Sequence, residues 1–213
     1  ALSNTVYLPE GDYYIKSPLI IANGYGLIIE GAGIGATGIF WDTDDNTKVA
    51  IQFSDCNQCQ MRQLSVNANQ NVDKLVQFYN NGSTSVITST ANTLQDVDLN
   101  GNYKTYSCAI VGGDVDANND FMQFVRVAAH GYSHSAFFLQ GFQSHQNHFI
   151  DCGMVGIDYA QTAQNGLYGV YSENQIVANA AASFIWERGI CGWHAGADFF
   201  MGAPNSTGCS VFW

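Results

Sequence analysis

The sequence predicts an all-β fold, a parallel β-helix in which successive turns of chain stack on one another, and three observations carry that prediction. The segments "MRQLSV" (61–66), "LQDVDL" (94–99), "MQFVRV" (122–127) and "FIDCGM" (149–154) each place apolar or cysteine side chains at their first, fourth and sixth positions, with starts 33, 28 and 27 residues apart. A second column keeps step: Phe53, Phe78, Val111 and Leu139 are 25, 33 and 28 residues apart. Between the columns lie short strand-like runs and turn residues, with no amphipathic helical pattern. A recurrence of this length built from strands alone marks a coil whose turns pair with those before and after them.

Composition agrees. At 213 residues the chain is read as a single β-helix domain, large enough to bury a substantial core. Apolar residues make up 46% and charged residues 12%, with Lys and Arg totalling 7, so polar surface comes mainly from amides and hydroxyls. Such side chains stack in ladders without mutual repulsion. The net charge of −11 argues against nucleic acid and anionic membrane surfaces as partners. No apolar run reaches 18 residues, so no membrane insertion is expected. The opening "ALSNTVYLPEG" lacks the basic and apolar regions of a signal peptide.

Taken in order, residues 1–48 form the first turns. In "TVYLPEGDYYIKSPLIIANGYGLIIEGAG", Gly24, Gly26, Gly31 and Gly33 bracket a strand where the chain must turn sharply, often with positive φ. "GAGIG" at 31–35 does not complete GxGxxG and no helix follows, so no nucleotide is expected there. Residues 49–156 form the regular turns. Phe53 to Met61, Val111 to Met122 and Leu139 to Phe149 span 8, 11 and 10 residues, but Phe78 to Leu94 spans 16. The excess, "YNNGSTSVITSTAN" at 79–92, is expected to protrude, either as a recognition loop or as a tolerated surface excursion. Residues 157–213 are less regular and close on "GCSVFW", an open apolar edge expected to continue in a longer chain or to be covered by a partner. Of the cysteines, Cys56, Cys59, Cys108, Cys152, Cys191 and Cys209, only "CNQC" forms a close pair. Buried or loop thiols are the main reading, and a 56–59 or 191–209 disulfide the other.

The stretch "VYLPEGDYYIKSPLIIANGYGLIIEGAGIGATGIFW" resembles the opening of the pectate-lyase-like right-handed β-helix superfamily. There an "LPxGxY-I" segment leads into a strand, then a "G-L-I-I-x-G-x-G" turn and "T-x-I-F". The match covers residues 5–41, and the segments from 49 to about 156 are compatible with it. The resemblance implies a right-handed parallel β-helix. The superfamily includes polysaccharide lyases, glycoside hydrolases, uronate epimerases and phage tailspikes, and fold alone does not choose among them. A tailspike-like protein would be extracellular or carried on the virion at the phage tail, homotrimeric, and bound to a polysaccharide or other glycan. Pectate lyases use a calcium-binding aspartate cluster and an arginine base in basic surroundings. Here the only arginines are Arg62, Arg126 and Arg188 on an acidic chain, so a neutral glycan suits the charge better than a pectin-like polyanion.

Stacking turns sequence columns into neighbours about 4.8 Å apart. The aligned segments set Asp98 beside Arg126, with Asp96 and Asp151 two turns apart. That is roughly 9–10 Å between Cα atoms, near the upper end of the about 6.5–9.5 Å carboxyl separation of inverting glycosidases. Asp96, Asp98 and Asp151 are therefore the candidate catalytic carboxylates, and Arg126 a candidate for holding a substrate carboxylate or sulfate. The competing reading is a surface Asp98–Arg126 ion pair with two solvated aspartates. "FIWERGICGWHAGADFF" offers Trp186, Glu187, Arg188, Trp193 and His194, with Asp198, as a sugar-binding surface of flat aromatics and hydrogen-bonding groups. Core packing of the tryptophans is the other account. "DVDANND" alternates Asp114, Asp116, Asn118 and Asp120 as in half a calcium loop, but Asn119 and Val125 stand where an EF-hand needs Gly and Glu. Calcium is thus the only cofactor considered, against a solvated turn. His130 and His134 are expected past the end of one strand, and His145 and His148 before the next, so polar turn roles are expected of them. The function expected is glycan binding, with or without hydrolysis. The alternatives are a non-catalytic structural or adhesive stalk and a secreted polysaccharide lyase or epimerase.

Overall fold

The computed structural model describes residues 4–81, 89–112, 118–140, 143–156, 166–172, 181–201 and 210–212. These residues are all-β, and the strand pairs they form are parallel. One path of hydrogen-bonded neighbours runs through Thr5–Leu8, Ile28–Gly31, Gln60–Ala68, Thr93–Val111, Gln123–Leu139, Gln143–Val155, Ala181–Gly192 and Ser210–Phe212. A second runs from Leu19–Ala22 through Asp45–Ser54 and Val72–Tyr79 into the later halves of Thr93–Val111 and Gln123–Leu139, then Tyr168–Ser172 and Ala197–Met201. Gly11–Ile15 and Thr37–Trp41 begin a third, which joins the end of Gln60–Ala68. Parallel partners so regularly spaced along the chain are consistent with a β-solenoid.

The second column pairs in the register that the sequence predicts: Phe53 opposite Phe78, Phe78 opposite Val111, and Val111 opposite Leu139. In the first column Met61 faces Leu94 as expected. The next step differs, because Leu94 faces Phe124 rather than Met122, and Phe124 faces Phe149. The first, fourth and sixth positions of that turn are therefore Phe124, Val127 and Ala129, all buried, while Val125 is only partly buried. The core gains from this choice. Phe124 lies 4.7 Å from Phe149 with rings 7° from parallel, and 6.2 Å from Phe78. Phe53 continues the stack at 5.2 Å from Phe78, and Phe184 at 5.7 Å from Phe149. Rings at these separations add to the burial of their area.

The 1-4-6 spacing has a backbone cause. Side chains on a strand alternate faces, so two inward residues three apart cannot lie on one regular strand. The third position absorbs the odd residue: Gln63, Asp96, Arg126, Asp151 and Arg188 all take left-handed backbone, with φ of 56°, 53°, 51°, 53° and 48°. This conformation is uncommon for a non-glycine residue, and here it recurs on successive strands as a column of bulges.

Positive φ is found at two of the four bracketing glycines, Gly26 and Gly33, but not at Gly24 or Gly31. Those two are glycine for want of space. A Cβ on Gly24 would come 2.9 Å from Cys59 Sγ, and one on Gly31 would strike the backbone oxygen of Gln63. Turns are closed by buried amides. Asn92 accepts from the Cys59 backbone N–H at 2.9 Å and donates to the Cys56 carbonyl at 2.7 Å. Asn147 accepts from Met122 N–H at 3.2 Å and donates to the Ser144 carbonyl at 2.7 Å. The expected amide and hydroxyl ladders are present, with Gln52 donating to Gln77 at 2.9 Å and the Ser107 and Ser135 hydroxyls 2.8 Å apart. Cys56, Cys59, Cys108, Cys152 and Cys191 are unbridged thiols, and Cys209 lies outside the described residues. Of the expected loop at 79–92, residues 82–88 lie outside the described ones, and Ser89–Thr90 pairs with Asn119–Asp120.

Candidate functional site

The column of left-handed residues carries the first candidate site. Reading along the stack it runs Asp96, Arg126, Asp151, Arg188, alternating in charge. Arg126 forks onto Asp96, Nε to Oδ1 at 2.6 Å and Nη2 to Oδ2 at 2.8 Å. Arg188 does the same to Asp151 at 2.9 and 3.1 Å. The expected pairing of Asp98 with Arg126 is not found. The two-residue shift in register puts Ala128 opposite Asp98, whose carboxylate instead meets His130 Nε2 at 3.0 Å. Asp96 and Asp151 do lie two strands apart, with Arg126 between them. The Arg126 guanidinium holds the Asp96 carboxyl below the ordinary carboxylate range, against a smaller opposing effect of burial. Asp96 is therefore a fixed charge rather than a proton donor, and the same pairing weakens it as a base.

The residues proposed for sugar contact separate. Trp186 is 8% exposed and packs on Phe149 and Phe199. Glu187 lies 3.3 Å from His148 Nε2, and Arg188 belongs to the charge column. Trp193 is 58% exposed. His194 is enclosed, its ring held between the Tyr132 hydroxyl at 2.5 Å and Asp198 Oδ1 at 2.7 Å. In the acidic turn, Asp114 and Asp116 lie outside the described residues. Asn118 offers its carbonyl to Asn80 at 3.1 Å, and Asp120 offers its own to Thr90 at 3.1 Å. The side chain of His145 also lies outside the description.

A second site was not signalled by any repeat. An open cleft of about 380 Å³ is lined by Asn46, Asn71, Asp73, Tyr103, Lys104, Tyr106 and Ser133, together with Val72 and Thr105. It forms where the long strands Thr93–Val111 and Gln123–Leu139 bend between columns, with register shifts between Asn100 and Ser107 and left-handed backbone at Asn102 and Tyr103. Lys74 pairs with Asp73 and Lys104 donates to the neutral Asn69 carbonyl, both at 2.5 Å, so Asp73 is opposed by a cation while the Lys104 ammonium is held by an uncharged acceptor. From Tyr106, 43% exposed, an aromatic file extends along the stack: His134 at 4.3 Å, Tyr171 at 4.6 Å from His134, and Phe200 at 4.9 Å from Tyr171. Amides, hydroxyls and tyrosine rings match a polyhydroxyl ligand. The one signal in the sequence is "YKTYS" at 103–107, a dense set of such groups between two apolar columns.

Comparison with protein-family models, curated proteins and solved structures gave no match to this chain.

Proposed function

We propose that this chain is a glycan-binding protein, a right-handed parallel β-helix of the pectate-lyase-like kind that works as a tailspike-like homotrimer outside the cell or on a virion. The observation that carries the reading is the cleft beside Tyr103 and Tyr106, with its amide and hydroxyl lining and the exposed Tyr106 ring. The parallel pairing supports the coil, and the usual twist of strands joined in parallel supports a right hand. The ligand class is a neutral oligosaccharide, because the chain is acidic and the cleft is lined mainly by amides, hydroxyls and tyrosine rings. In the catalytic form of this proposal Asp96, Asp98 or Asp151 would hydrolyse the bound glycan. The acid would be another group, since Asp96 is held ionised.

The test is a neutral-glycan array followed by titration calorimetry on the wild-type chain and on Tyr103→Ala and Tyr106→Ala. Binding weakened about tenfold or more in either variant, with stability retained, supports the reading. Binding unaffected by both variants contradicts it. Light scattering tests the trimer, and product release in the wild type that is lost in Asp96→Asn tests hydrolysis.

A second reading, a structural or adhesive stalk, is favoured by the Asp96–Arg126–Asp151–Arg188 column, which ties successive strands together without leaving a free charge. It survives if the array is blank.

A further inference from the structure

Three side chains near the end of Ala181–Gly192 and the start of Ala197–Met201 converge and have no part in the proposed glycan site. Cys191 Sγ, a ring nitrogen of His194 and a carboxylate oxygen of Asp198 all lie within 4.8 Å of one another. The His194 side chain has no solvent exposure, whereas the Asp198 side chain is 46% exposed, so the group is closed on one side and open on the other. We propose that Cys191, His194 and Asp198 form a binding site for a divalent transition-metal ion, zinc by the chemistry of its donors.

The donor set decides the class of ion. A thiolate and an imidazole are poor partners for calcium or magnesium, which take oxygen ligands, and good ones for zinc and its neighbours. With metal–ligand bonds of about 2.0–2.3 Å, donors around a tetrahedral ion sit roughly 3.3–3.8 Å apart. The present spread is therefore within reach by side-chain rotation. His194 Nδ1 and Asp198 Oδ1, at 2.7 Å, share a proton. The cation takes that proton's place, Nδ1 and Oδ1 separate slightly, the displaced proton passes to Nε2, and the proton of the Cys191 thiol leaves to solvent.

The surroundings fit a ligand shell. Tyr132, 1% exposed, meets the other ring nitrogen, Nε2, at 2.5 Å. Once Nδ1 binds the ion, Nε2–H donates to the Tyr132 oxygen, the kind of outer hydrogen bond that fixes the tautomer and aim of a metal-bound histidine. Space is kept free by Gly169, where a Cβ would lie 2.5 Å from Cys191 Sγ and 3.1 Å from His194 Cε1. Any larger residue would fill the cradle. Three protein ligands leave the fourth position to water or another group on the open side, beside exposed Trp193. The bound ion would join Ala181–Gly192 to Ala197–Met201 and, through Tyr132, to Gln123–Leu139.

The test uses the full chain stripped of metal with a chelator, then titrated with Zn²⁺ and, as a spectroscopic probe, Co²⁺. One equivalent should bind, with a thiolate-to-cobalt charge-transfer band that Cys191→Ser abolishes. Asp198→Asn should weaken Zn²⁺ binding, and Tyr132→Phe should weaken it about 10–100-fold. Cys56→Ser with Cys59→Ser should leave the band unchanged. Absence of Zn²⁺ binding by the wild-type chain overturns the proposal. So does a cobalt–thiolate band that persists in Cys191→Ser or vanishes in the Cys56/Cys59 double variant. Far-ultraviolet dichroism of each variant separates lost binding from lost folding.

Discussion

Arg126 grips Asp96, the residue opposite it on the neighbouring strand, through two hydrogen bonds of 2.6 and 2.8 Å, and leaves Asp98 to His130. A double-mutant cycle should therefore find favourable coupling between Asp96→Asn and Arg126→Gln, and none between Asp98→Asn and Arg126→Gln. Both side chains are partly exposed, so the coupling should be small and should fall as salt is added. Urea unfolding of the variants measures it, and coupling at Asp98 instead would mean that the strands pair two residues out of the register described.

The same pair sets a pH dependence. Asp96 has a folded-state pKa below its ordinary value, so its contribution is complete above the usual carboxylate range, about pH 4, and is lost as pH falls through the folded value. The stability gap between the wild-type chain and Asp96→Asn should be constant near neutrality and shrink on acidification from about pH 4 towards pH 2. A gap that stays constant across that range would show that Arg126 does not hold the Asp96 carboxylate in the folded chain.

Phe124 is fully buried among Phe137, Phe149 and Phe78, at 4.9, 4.7 and 6.2 Å. Phe124→Ala should cost about 3–5 kcal/mol in urea unfolding. Val125→Ala should cost under about 1 kcal/mol, since Val125 is partly exposed on the opposite face. Equal costs would mean that Val125 is the inward residue of that turn.

The bulge column makes a backbone prediction. Gln63 is exposed and has φ of 56°, so Gln63→Val should destabilise by about 1–2 kcal/mol, because a β-branched side chain clashes in the left-handed region. Gln63→Asn should stay within about 0.5 kcal/mol, since asparagine tolerates that conformation. Thermal unfolding of the two variants decides the matter, and equal melting temperatures would contradict a strained column.

How far the sequence could be read follows from these residues. The register of Phe53, Phe78, Val111 and Leu139 was legible because each closes a short apolar run, in IQF, VQF, AIV and FFL, at the same place before the turn. At 122–129, Met122/Val125/Val127 and Phe124/Val127/Ala129 both fill the first, fourth and sixth positions with apolar side chains, so the spacing alone does not choose between them. A slip of one residue would expose the core, but a slip of two preserves the alternation, and ring packing across three turns makes the choice. That slip moved Arg126 from Asp98 to Asp96. The 1-4-6 spacing already held the bulge, since no regular strand turns residues one and four inward, although the left-handed column becomes visible only when the strands are stacked. The cleft was not legible because its residues come from bends between the columns, where no position repeats.

The register of the first column positions both the charge column and the cleft, and cross-linking tests it most directly. Asp98 and Ala128 are paired Cα partners on adjacent parallel strands, and both side chains are at least partly exposed. Cα atoms of such partners lie about 4.8 Å apart, within the range that a disulfide spans. The variant Asp98→Cys/Ala128→Cys should therefore form an intramolecular bond on mild oxidation, seen as a mobility shift absent from either single variant and reversed by reductant. Asp98→Cys/Arg126→Cys should not cross-link under the same conditions. Efficient closure of the 98–126 pair with none between 98 and 128 would contradict the account.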